Sequence, residues 1–215
     1  MSKIFTFILF ISLILNINSQ SQNQISNSIQ AKIDSLTDAS VAMRRTNLDS
    51  ATNLAKKALE LSLSINDSMR RSDAQNAIGA THFMKGAFDS ALFYFSSSYE
   101  VRSKLNDPRK IGGSLNNLGL VYERQENFSK AISTYEKALD IYLNENDSAD
   151  LALVYGNLGI LYETIFDHQK ALHFHRKEIV MLRGEEKQLS RTYLNMGLVY
   201  SAMGNYDSAH LLYNK

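Results

Sequence analysis

Ser114-Leu115-Asn116-Asn117-Leu118-Gly119-Leu120-Val121-Tyr122, a short polar break, then Phe128-Ser129-Lys130-Ala131 running on to Ala138-Leu139: this stretch decides the fold, because it recurs. Asn157-Leu158-Gly159-Ile160-Leu161-Tyr162 follows with Ala171-Leu172, and Gly79 and Ala91 come before it. Glycines stand at 79, 119, 159 and 197 and alanines at 51, 91, 131, 171 and 209, so the period is 40, 40, 40 and 38 residues. A fixed period of this length marks a repeat array, in which each unit touches only its neighbours and the core is a continuous seam.

Each unit reads as two helices. Leu48, Ala51, Leu54, Ala55, Ala58, Leu59 and Ser62 follow the i, i+3, i+4, i+7 spacing of one buried helical face. Phe88 to Tyr99 and Phe128 to Leu139 repeat it. The break before the second helix holds Asn47, Asn127, Asp167 or Asn205, with Ala87 as the exception. Such side chains accept a free backbone N–H of the first helical turn. Gly86 and Gly204 suit a chain reversal at positive φ, and Asn66-Asp67, Asn106-Asp107-Pro108, Asn146-Asp147-Ser148 and Gly184 are turn formers between units. Gly79, Gly119, Gly159 and Gly197 recur inside the first helix, where glycine costs about 0.5–1 kcal/mol relative to alanine. Close helix approach onto Ala91, Ala131, Ala171 and Ala209 is expected to offset that cost. The Tyr122, Phe128, Tyr135 and Tyr162 stripe lies at helical spacing and reads as core.

Composition removes several classes of function. The net charge of +1 offers no clustered basic surface for nucleic acid. Without cysteine there is neither a disulfide framework nor a thiolate metal site. Residues 1–21 differ from the rest. Lys3, the mostly apolar run Ile4–Leu15 and small residues at Ile17-Asn18-Ser19 or Ser19-Gln20-Ser21 have the layout of a signal peptide cleaved near Ser19–Ser21. The apolar run is shorter than the roughly 20 residues that span a bilayer, so the mature chain is expected in the periplasm or outside the cell. Residues 22–31, rich in Ser, Gln and Asn, read as a disordered leader.

The pattern Leu-Gly-x-x-Tyr, an aromatic after a turn, Ala three residues on, then an aromatic and Ala-Leu resembles the tetratricopeptide repeat. Its 40-residue spacing is similar to the variant in kinesin light chains and bacterial signalling proteins. Leu115, Leu118, Gly119, Tyr122, Phe128, Ala131, Tyr135, Ala138 and Leu139 form the best unit. The fourth has His168 and His175 where aromatics are usual and Glu178 where Ala is usual; the second has His82 and Ser98 in place of Tyr and Ala. The resemblance implies an all-α, right-handed solenoid of antiparallel helix pairs. Its five units would cover 32–71, 72–111, 112–151, 152–189 and an incomplete 190–215. It also implies a concave face lined by the first helices, with Asn76, Asn116, Asn117, Asn157, Asn195, Glu123, Glu163 and Arg191 turned inward beside Leu120, Ile160 and Leu198. Asn117, Asn157 and Asn195 share one position, and an amide there suits the backbone of an extended peptide. The family's basic clamp for a peptide carboxylate is not reproduced: the positions equivalent to Arg191 hold Asp73, Gly113 and Leu153. Glu123 and Glu163 make the groove mildly acidic instead.

No catalytic or cofactor-binding constellation emerges. Ile111-Gly112-Gly113-Ser114 lacks the Gly-Lys-Ser/Thr of a phosphate loop. His173 and His175, two apart on a helix, point about 200° apart and cannot share a metal ion. The expectation is therefore a non-enzymatic, exported, bacterial scaffold that binds an extended or helical peptide of a partner protein. Membrane attachment would come only from the signal peptide or a transmembrane segment beyond Lys215. The alternative is the N-terminal input region of a larger membrane signalling protein, a histidine kinase or helix-turn-helix regulator.

Overall fold

The computed structural model describes residues 2–145, 147–182 and 185–215, with side chains from Gln20 onward apart from Ser21. Ten helices occupy the described residues: α1 (Ser2–Met43), α2 (Leu48–Ser64), α3 (Ser68–Met84), α4 (Phe88–Leu105), α5 (Pro108–Arg124), α6 (Phe128–Glu145), α7 (Ser148–Thr164), α8 (His168–Met181), α9 (Glu186–Ala202) and α10 (Tyr206–Tyr213). The architecture is an all-α array of antiparallel helix pairs, among them α1/α2, α5/α6, α7/α8 and α9/α10. The first helices of units two to five begin one helical turn before the limits expected from sequence, at 68, 108, 148 and 186. The proposed cleavage region and apolar run lie outside the described side chains, Gln20 excepted, and the turn residues Asn146 and Gly184 lie outside the described residues. Among the described residues no helix is long and apolar enough to cross a membrane.

The chain forms two compact units, 1–85 and 86–215. In the first, α1, α2 and α3 pack on one another around Ile33, Ala58 and Ala74, with Ile29, Leu36, Leu59, Leu61 and Ile65 against them. The expected disordered leader is helical here: residues 22–31 belong to α1. Ile29, Ile33 and Leu36, spaced i, i+4, i+7, supply the buried stripe that the polar composition obscured. The Gln30 amide adds a hydrogen bond of 3.1 Å to Asp67. Arg70 holds Asp34 through two bonds of 2.9 and 2.8 Å and Asp67 through a third of 2.9 Å. Burial pushes the Asp67 carboxyl up, but the Arg70 amide and guanidinium and the Gln30 bond outweigh it and hold the group below its ordinary value.

In the second unit one core runs from Leu115 through Tyr135, Leu139, Leu158 and Leu161 to Val199 and Leu212. Tyr135 is fully buried, Tyr162 is buried, and Tyr122 and Phe128 pack against the cluster. Gly119, Gly159 and Gly197 face rings first, not the alanines expected as their partners. A Cβ on Gly119 would stand 2.5 Å from Cε1 of Tyr135 and one on Gly159 2.5 Å from Cε1 of His175, while Gly197 lies against Tyr213. Each of these three glycines leaves room for a ring where a Cβ would otherwise stand.

The turns have a common construction. Glu126, Phe166 and Gly204 take positive φ after α5, α7 and α9, as Gly86 does before α4. The next residue then donates its N–H back across the turn: Asn127 to the Tyr122 carbonyl at 2.8 Å, Asp167 to Tyr162 at 2.9 Å, Asn205 to Tyr200 at 2.9 Å. This is the six-to-one bond of a Schellman ending. The same residue opens the following helix, since Asn127, Asp167 and Asn205 accept from the amides of Lys130, Lys170 and Ser208. Asp67, Asp107 and Asp147 cap α3, α5 and α7 in the same manner.

Candidate functional site

In the second unit α5 packs against α7 and α7 against α9, so these first helices share a face. Leu153 and Ile160 on α7 and Leu194 and Leu198 on α9 stand out on it, each 41–50 % exposed. They sit seven apart on α7 and four apart on α9, which keeps each pair on one side of its helix. Leu120 of α5 is half-buried beside the core.

The polar residues expected on this face divide into several environments. Asn157 donates from Nδ2 to Oδ1 of Asn116 at 2.8 Å, and Asn116 is 4 % exposed. These two amides therefore join α7 to α5. Asn117 and Asn195 are half-buried on α5 and α9, and Asn76 lies on α3 in the other compact unit. The Arg191 side chain is largely exposed, with Nη2 4.0 Å from Oε1 of Glu178. Glu123 does not face the groove as expected. It is buried, and the Tyr135 hydroxyl donates to its Oε2 at 3.0 Å. Burial raises its carboxyl above the ordinary value, with the Tyr135 bond pulling the other way. Glu163, at the equivalent place one unit on, is half-exposed.

The two histidines separate as their spacing required. His173 is exposed and meets Phe174 edge-on, with ring centroids 5.3 Å apart. His175 is fully buried, with Nδ1 3.1 Å from Oε2 of Glu178. Among the described residues no group of three His, Cys, Asp or Glu side chains converges as a metal site would.

One feature of the face escaped sequence reasoning. Phe166 is 80 % exposed at φ 62°. With Ile160, Glu163, Thr164, His168 and Ala202 it lines a cavity of about 390 Å³ between the C-terminal ends of α7 and α9. The available signal was an aromatic in the turn position that holds glycine at 86 and 204.

Helix pairs built on one 40-residue plan, with a shared open face along their first helices, define an all-α repeat solenoid. Family models, each described as tetratricopeptide repeat, match residues 111–183 and 190–215. Over those residues the chain is built of tetratricopeptide repeats. No curated protein matches the sequence. Among solved structures, BtubC (BKLC) from P. vanneervenii is similar at TM-score 0.70 and 20% identity, over 86% of this chain and 88% of its own. A putative kinesin light chain with nearly identical TPR-like repeats from Podosopora anserina gives 0.68 and 14%, over 85% and 92%. The Rap conjugation gene regulator of plasmid pLS20, in complex with the Phr* peptide, gives 0.74 and 17%, over 88% of this chain and 53% of its own. At these identities the likeness is one of fold.

Proposed function

We propose that this chain is an exported, non-catalytic scaffold that holds a peptide segment of a partner protein along the shared face of α5, α7 and α9. The observation that carries the reading is the row of Leu153, Ile160, Leu194 and Leu198, large apolar side chains left in solvent on adjacent first helices. Large apolar side chains exposed on neighbouring helices suit an interaction surface, and repeat arrays present extended faces to their ligands. The Rap regulator of similar fold has a peptide in its structure, which supports a peptide as the occupant. Export is supported by Lys3, the Ile4–Leu15 run and the small residues after it. Membrane contact would be confined to that leader or to a segment beyond Lys215. A second reading, an input region of a larger signalling protein, is favoured by the same neighbour, since this chain spans 53% of a gene regulator.

The test is selection of 12-residue peptides from a random library on the full chain. Peptides enriched by the wild type should bind the double variant Ile160→Asp, Leu198→Asp about tenfold or more weakly, a loss of about 1.4 kcal/mol, at an unchanged melting temperature. Equal binding to both proteins overturns the reading.

A further inference from the structure

We infer that Glu163 and Phe166 form a subsite for a cationic side chain, lysine or arginine, of the bound peptide; the assignment rests on the peptide-binding reading above. It follows from a comparison of the third and fourth repeats. Tyr135 lies against Gly119 and its hydroxyl reaches Glu123, drawing that carboxylate into the core. His175 occupies the same place against Gly159. Its ring is shorter than a phenol, its Nε2 is buried with no hydrogen-bond partner, and its Nδ1 engages Glu178 at 3.1 Å. Among the described residues no side-chain hydrogen bond draws Glu163 inward, and it is partly exposed and lines the cavity between α7 and α9. The fifth repeat has Ser201 at this place.

The rest of the cavity suits the same ligand. Phe166 presents an aromatic ring to solvent, and a cation over such a ring is attracted by its negative face. Its backbone adopts φ 62°, unfavourable for an L-residue; the equivalent turns hold Gly86, Glu126 and Gly204 at positive φ, so Phe166 is the one aromatic among them. A strained, bulky residue that buries little of itself is a feature found at ligand-binding positions. Ile160 and Ala202 supply apolar wall for the methylene stem of a long basic side chain. Thr164 donates its hydroxyl to the Ile160 carbonyl at 3.0 Å, leaving its oxygen lone pairs to accept. His168 stands edge-on to Phe166, ring centroids 6.3 Å apart, and props the ring.

The experiment uses the full chain and the peptide library described above. Enriched sequences should share a lysine or arginine at one register position. The selected peptide is then synthesised with an acetylated N-terminus, which removes the α-amine as an alternative cation, and with lysine, arginine or neutral norleucine at that position. Norleucine should bind about tenfold more weakly to wild type and no more weakly than lysine to Glu163→Gln. His175→Tyr, which leaves every residue of the cavity in place, should produce the same loss by giving Glu163 the phenol partner that Glu123 has. Enriched peptides without a shared basic position, or equal binding of the lysine and norleucine peptides to wild type, overturn the subsite. If either result comes with loss of binding in the Ile160→Asp, Leu198→Asp variant, the peptide-binding reading still stands. Failure to enrich any peptide overturns both.

Discussion

Replacing Gly119 by alanine would improve helix propensity by about 0.5–1 kcal/mol, yet the added Cβ would stand 2.5 Å from Cε1 of Tyr135. That ring is fully buried and its hydroxyl is held on Glu123, so it has no free direction to retreat. Overpacking wins: Gly119→Ala should lower stability by about 1–3 kcal/mol and Gly119→Leu by at least as much, measured by thermal or urea unfolding. The partner of the glycine was not legible in the sequence, where Ala131 looked like the matching surface. Tyr135 takes the place because a helical glycine exposes backbone on which a planar ring fits. Glu123 gives a pH-dependent test. Its folded-state pKa is raised above the ordinary 4.5 by burial, so the folded chain favours the protonated form. Its contribution to stability is complete below about 4.5 and is lost as pH rises through the raised value. Glu123→Gln can still accept the Tyr135 hydroxyl and carries no charge. At pH 7 it should melt roughly 2–4 °C above wild type, with the difference vanishing as the pH falls below the ordinary carboxylate range.

At the scale of elements the turns were the most readable part of the chain. Asn47, Asn127, Asp167 and Asn205 cap their helices as the sequence indicates, and Ala87 makes no side-chain cap. The turn formers Asp67, Asp107 and Asp147 proved to be caps as well. The physical reason for the agreement is that a cap is a contact between residues three apart, so it needs no knowledge of the tertiary fold. Asn205→Ala should cost about 1 kcal/mol. The effect should be concentrated in α10, which is eight residues long, and appear as faster amide hydrogen exchange there while α6 is unaffected. The start of the first unit was misjudged for the opposite reason. Gln30 and its neighbours look solvated until α2 and α3 provide the surface that Ile29 and Ile33 cover.

Over the whole molecule, export is the property that a simple measurement decides. The intact mass of the protein recovered outside the cytoplasm of a bacterial expression host should correspond to a chain beginning near Ser19–Ser21. Recovery only inside the cell with residue 1 retained refutes the leader. By itself the sequence determined that the chain is an array of helix pairs, because a 40-residue period and its 3.6-residue sub-pattern are one-dimensional properties. Which polar groups remain available on the open face was decided by tertiary structure alone. Asn157 is taken up by Asn116, and Glu123 by Tyr135 from the paired helix. Glu163 remains at the cavity beside Phe166. Equivalent positions in a repeat share a backbone, but their side chains answer to neighbours twelve or more residues away, and those neighbours differ from unit to unit.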